Sequence, residues 1–101
     1  MIVRISQGRM DAQRKEEWLR ILTEEFLPVC TAADGFRFLH IADWDEHPTD
    51  GYLAVTGWDT MEQSDAFFAS DTYMSFNRRR VPEFKVTYAL SNGTVIASKE
   101  A

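Results

Sequence analysis

His40, Trp58 and one arginine of the run Arg78-Arg79-Arg80 are the side chains of this chain best suited to chemistry. His40 sits midway along an aromatic-flanked strand. There it can serve as a general base near neutral pH, taking a proton from a phenol or quinol. The bland alternative is a half-buried histidine hydrogen-bonded to a neighbour. Trp58 closes a strand just before a helix start. Its indole N–H could donate to a substrate carbonyl while the ring stacks on an aromatic substrate, or it could simply anchor a small core. Trp44, Tyr52 and Tyr73 carry the same two readings. Successive arginines on a helix point about 100° apart, so the three cannot share one environment. Near a helix end they complement the dipole. One of them, bordered by Phe76 and Val81, can turn inward and hold a phenolate or carboxylate through paired hydrogen bonds.

Other groups are less promising. His40, Asp43, Asp45 and His47 have ligand chemistry, but strand alternation puts His40 and Asp43 on opposite faces. No spacing matches a metal signature, so no metal is expected. Cys30 follows a helix end, where the dipole disfavours a thiolate, and packing is its default role. The glycines form no phosphate-loop or dinucleotide pattern, so no nucleotide cofactor is expected.

The elements that position these residues follow from periodicity. Ile2 to Gln7 alternates as a strand, which Gly8 is expected to end. Asp11 caps a helix over residues 12–28, where Trp18, Leu22 and Phe26 form an apolar stripe. Pro28 and the turn Ala33-Asp34-Gly35 should stop it. A second strand runs to Trp44, with Phe36, Phe38, His40, Ala42 and Trp44 on one face. A polar loop with an Asp50-Gly51 turn leads to a third strand, Tyr52 to Trp58. Thr60 and Gln63 fit a capping box for a helix carrying Met61, Phe67 and Phe68. Ser70-Asp71 marks a break or a fresh helix cap, followed by a helical turn with Tyr73, Met74 and Phe76. Pro82 blocks continuation. Phe84 to Leu90 is a last strand, and Asn92-Gly93 a hairpin turn or bulge before Thr94 to Ala97.

This order predicts a single α+β domain over residues 1–101. Its fold is a ferredoxin-like split βαβ with helices on one face of a four-stranded antiparallel sheet. Apolar residues nevertheless occupy both faces of the second and third strands. A sheet with one greasy face left uncovered wants a second sheet, which predicts a homodimer.

Composition agrees with a globular domain: 45% apolar, 27% charged and 13% aromatic residues exclude a disordered or fibrous chain. A net charge of −5 argues against nucleic acid and anionic membranes as partners. The chain opens as a strand rather than a secretory leader, and no apolar run reaches bilayer length. A single cysteine allows no internal disulfide, so a reducing cytoplasm is the expected home.

The pattern Asp34-Gly35-Phe36, Trp58-Asp59-Thr60-Met61-Glu62-Gln63, Phe67-Phe68 and Ser70-Asp71-Thr72-Tyr73 resembles the antibiotic-biosynthesis-monooxygenase-like family of dimeric α+β barrels. It spans nearly the whole chain. The resemblance implies the same fold, a dimer, and a function among cofactor-free oxygenases of phenolic polyketides, quinol oxygenases, haem-degrading enzymes and isomerases. The polyketide oxygenases carry a tryptophan at the Trp58 position and an arginine at that of Arg78. They carry an asparagine and a tyrosine where this chain has Ala54 and Ser64. The haem-degrading branch places an asparagine, a tryptophan and a haem-ligating histidine where this chain has Gln7, Phe67 and Asn77, which argues against haem. The resemblance therefore implies a cofactor-independent monooxygenase of a small phenol, quinol or polyketide-like substrate, with Trp58 and Arg78 as catalytic candidates, to which the strand pattern adds His40. Stacking and hydrogen-bonding partners for that substrate would be Trp44, Tyr52, Phe67, Tyr73 and Asn77. The alternative is a non-catalytic small-molecule-binding or assembly protein of the same fold.

Overall fold

The computed structural model describes residues 1–98. Four strands, β1 (Ile2–Arg9), β2 (Phe36–Asp43), β3 (Gly51–Trp58) and β4 (Thr87–Thr94), form one sheet in the order β2-β3-β1-β4. Every pairing is antiparallel. The helices are α1 (Lys15–Ile21), α2 (Leu27–Thr31), α3 (Met61–Phe68) and α4 (Asp71–Arg80). This is the expected ferredoxin-like α+β arrangement. No helix among the described residues is long and apolar enough to cross a membrane.

The first helical segment is longer than its sequence suggests. Asp11 caps a 3-10 turn by accepting from the Gln13 N–H. Helix then continues through a π-helical stretch, Leu22–Phe26, and ends at Thr31. Pro28 does not stop it. It falls in the first turn of α2, where its missing N–H is tolerated. The wide π turn also aligns the apolar stripe. Side chains four apart drift by about 40° per step in an α-helix, and a looser turn offsets that drift. Trp18, Leu22 and Phe26 thus all reach the core.

Local sequence chemistry explains the other boundaries. Thr60 caps α3 by accepting from the Gln63 N–H, and Ser70 caps α4 by accepting from the Tyr73 N–H. Gly8 does not end β1, which runs to Arg9. Its lack of a side chain makes room for the Tyr52 ring, which a Cβ there would meet at 2.3 Å. The loop before β3 closes through backbone bonds from His47 to Trp44 and from Gly51 to His47, not through an Asp50-Gly51 two-residue turn. Asn92-Gly93 makes no hairpin either. β4 passes straight through both, pairing Asn92 with Arg4 and Gly93 with Val3.

One irregularity reassigns a face. The β2–β3 register shifts between Phe36 and Phe38, an extra residue that turns Phe36 over. Phe36 therefore packs on Trp58 on the helix side, with Leu39 and Ile41, while Phe38 and His40 share the opposite face. On that opposite face β1 contributes Val3 and Ile5, and β3 contributes Leu53 and Val55.

Candidate functional site

The helix-side face of the sheet does not close completely on the helices. Between α1, the π segment, α4 and strands β1, β3 and β4 lies a cavity of about 50 Å³. Trp18, Leu22, Phe26 and Phe76 wall it from the helices, and Arg4, Ser6, Tyr52, Ala54 and Thr56 from the sheet. Tyr88 and Leu90 line it from the edge strand and are themselves exposed, so they form its mouth. A benzene-binding cavity measures ~150 Å³, so a ring-sized ligand enters only as these mouth residues move outward.

A few polar groups converge on this apolar space, the usual anatomy of a ligand site. The Asn77 amide donates to the Tyr73 hydroxyl at 3.0 Å and to the Tyr88 hydroxyl at 2.8 Å. Burial, reinforced by the neighbouring Tyr88 hydroxyl, pushes the Tyr73 phenol well above its ordinary range, so Tyr73 stays a donor rather than a base. Tyr52 is raised for the same reason, against the nearby Trp18 N–H and Ser6 hydroxyl, which favour its ionised form. Arg4 enters from β1. Its Nε donates to Asn92 Oδ1 at 2.7 Å, its Nη2 to Asp65 Oδ1 at 3.0 Å, and its guanidinium lies 4.5 Å from the centre of the Phe68 ring.

The three catalytic candidates of the sequence are not brought together. His40 is exposed on the other face of the sheet, against the Phe38 ring at 4.7 Å. Trp58 is fully buried, with its indole N–H donating to Thr56 Oγ1 at 2.9 Å and its ring packed on Phe67 at 5.0 Å. Its hydrogen bond is spent inside the core, and it does not line the cavity. Arg78 is exposed and makes no ion pair among the described residues. The least exposed arginine of the triplet is Arg80, which pairs with the part-exposed Glu25 and Glu83.

Of the binding candidates, Tyr52, Tyr73 and Asn77 line the cavity together. Trp44 sits in the loop after β2, 4.4 Å from the His47 ring. Phe67 belongs to the core and to a separate open groove between α2 and α3, where Val29, Asp34 and Gln63 also lie. Arg4, Tyr88 and Asn92 escaped notice. Arg4 carried a signal nonetheless, as a charge on the same strand face as the buried Ile2. No group of three or more His, Cys, Asp or Glu residues among the described residues is placed to hold a metal. The cavity does not fit a porphyrin: it is too small, and at position 77 an amide engaged by two tyrosines replaces the imidazole that would hold iron.

Fold and cavity together define a ferredoxin-like α+β domain with an aromatic-lined cavity under its helices. No family model matches the sequence, and no curated protein matches it either. Solved structures do. HapK from Hahella chejuensis shares 12% identity over 100% of this chain and 98% of its own, at a TM-score of 0.83. A candidate antibiotic biosynthesis monooxygenase from Bordetella bronchiseptica shares 15% identity over 95% of this chain and 97% of its own, at 0.81. A mutant of MhuD, crystallised with two manganese protoporphyrin IX bound per active site, shares 16% identity over 100% of each chain, at 0.79. The resemblance to antibiotic-biosynthesis-monooxygenase-like proteins thus holds at the level of the fold.

Proposed function

We propose that this protein is a homodimer that takes one small, flat phenol or quinol per subunit and oxygenates it with O₂ without a resident cofactor. The observation that carries the reading is the aromatic cavity, with the Tyr73-Asn77-Tyr88 cluster and the Arg4 guanidinium as its polar groups. The substrate itself would be the reductant. For a phenol oxidised to a quinone, the ring gains one oxygen atom and loses two hydrogens. The second oxygen leaves as water with those hydrogens, so the substrate supplies all four electrons. The protein's share is to stabilise the oxyanion, supplied by Arg4 and the tyrosine hydroxyls, and to keep the anion dry. His40 lies outside the cavity, so the reading favours substrates acidic enough to ionise without a histidine base.

Oxygen consumption and quinone absorbance with hydroxynaphthoquinols and anthrones test this reading. Turnover above the uncatalysed rate is expected, and ligand binding with no oxygen uptake overturns the catalytic half. The second reading, a binding module of the same fold, is favoured by one observation: no histidine, cysteine or carboxylate side chain lines the cavity to act as a base.

The dimer would form through the opposite sheet face, where Val3, Ile5, Phe38, Leu53 and Val55 lie with His40. Such interfaces commonly bury more than ~2,000 Å² in total. Light scattering at low micromolar concentration should give twice the chain mass, and Val55→Asp should halve it. A folded monomer of the parent protein would sink this part. A cytoplasmic setting belongs to the same reading, supported by the single, buried, unpaired Cys30.

A further inference from the structure

Arg4 is a charge on a central strand, placed on the face that the helices cover. Its side chain is only 11% exposed, whereas that of its carboxylate partner Asp65 is 61% exposed. The pairing is unequal: water solvates Asp65, while most of the guanidinium is withdrawn from water. A largely buried cation with a solvated partner is incompletely compensated, and a second anion nearby is favoured. Asn92 fixes its Nε and the Phe68 ring its plane, which leaves Nη1 without a protein partner among the described residues. No side chain lining the cavity is acidic. The remaining polar groups add donors. Tyr73 and Tyr88 both accept from Asn77 and can share at most one proton between their hydroxyls, so at least one O–H is left to give. On a chain of net charge −5, this cavity is a place of donors and positive charge.

We propose that Arg4 is the specificity-determining residue of this cavity, selecting planar aromatic anions, such as ionised hydroxyquinones and aromatic carboxylates, over neutral analogues of the same size. The proposal rests on the cavity being the ligand site. Arg4 meets the oxyanion with its free terminal nitrogen, and the tyrosine hydroxyls meet a carbonyl oxygen across the ring. Asp65 competes with the ligand for the guanidinium and sets how strongly an anion is held.

The test is calorimetric titration at pH 7 with 2-hydroxy-1,4-naphthoquinone, which is ionised there, and with neutral 2-methyl-1,4-naphthoquinone. The parent protein should prefer the anion. Arg4→Gln should weaken the anion ~10–100-fold, the worth of a charged hydrogen bond, and leave the neutral quinone within ~3-fold. Arg4→Lys should recover part of the loss, since charge remains but the planar fork does not. Asp65→Asn, at an exposed position that does not endanger folding, should tighten the anion and spare the neutral compound. Equal losses for both ligands in Arg4→Gln, or an anion affinity that Asp65→Asn does not raise, would overturn the proposal while leaving the cavity as the ligand site. If neither quinone binds the parent protein, the ligand-site reading falls and the proposal falls with it.

Discussion

Trp58→Phe separates a core anchor from a site residue. The indole N–H donates to the hydroxyl of Thr56, which is itself buried. Losing a neutral hydrogen bond costs about 1 kcal/mol. Replacing the indole by a phenyl leaves a void of roughly 40 Å³ among Phe36, Phe67 and Phe68, which at ~24 cal/mol per Å³ adds about 1 kcal/mol. The sum of about 2 kcal/mol should lower the melting temperature by roughly 10 °C for a domain of this size. The comparison is made at one fixed protein concentration, because dimerisation would itself shift the melt. A double-mutant cycle with Thr56→Val isolates the hydrogen bond, and a coupling of about 1 kcal/mol is expected. Quinone affinity should survive in Trp58→Phe. A variant that melts like the parent but no longer binds ligand would refute the assignment and return Trp58 to the site.

Three further outcomes follow from the same coordinates. The hydrogen bond from Arg80, partly opposed by desolvation and aided by Arg14, holds the Glu83 carboxyl below its ordinary value. A lowered carboxyl stabilises the fold above its unfolded value and loses that contribution as pH falls through the folded one. Urea midpoints should therefore drop less steeply below pH 4.5 in Glu83→Gln than in the parent, and parallel curves would contradict the ion-pair account. Burial pushes the Cys30 thiol up to about 12, so a thiol reagent at pH 8 should label it only after urea unfolding. Prompt stoichiometric labelling of the native protein would show the core open there. Lys85 holds φ at 55°, a left-handed conformation that costs a side-chain-bearing residue ~1–2 kcal/mol. Lys85→Gly should raise the unfolding free energy by roughly 0.5–1 kcal/mol after glycine's own entropy cost, read as a higher urea midpoint with an unchanged denaturant slope, and a destabilised variant would argue against strain.

Much of the fold was readable because its signals are local. Thr60 and Ser70 cap the helices they were expected to cap, and the stripe Trp18-Leu22-Phe26 faces the core. What misled were features that depend on register. Alternation counted from Phe36 cannot see the bulge that turns Phe36 over, and Asn92-Gly93 reads as a turn until its pairing with β1 is known. Tyr52 and Tyr73 stand out by residue type and Asn77 through the resemblance, and all three line the cavity. The resemblance singles out Arg78, whereas the least exposed arginine of the triplet is Arg80.

Arg4 was missed for a more instructive reason. A charge within an alternating strand is assigned to water by default, although alternation puts Arg4 on the side of Ile2 and Ser6. Yet the sheet already had apolar residues on both sides, which implies helices over one face and a partner over the other. β1 lies inside that sheet, between β3 and β4, so neither of its faces is a free surface if the dimer forms. A charge on such a strand must lie in an interface or in a cavity. The helix-side register of Arg4 with Thr56 decides for the cavity. Two-faced apolarity and an inner-strand charge, taken together, point to a cavity beneath the helices more directly than any of the histidine, tryptophan or arginine motifs considered singly.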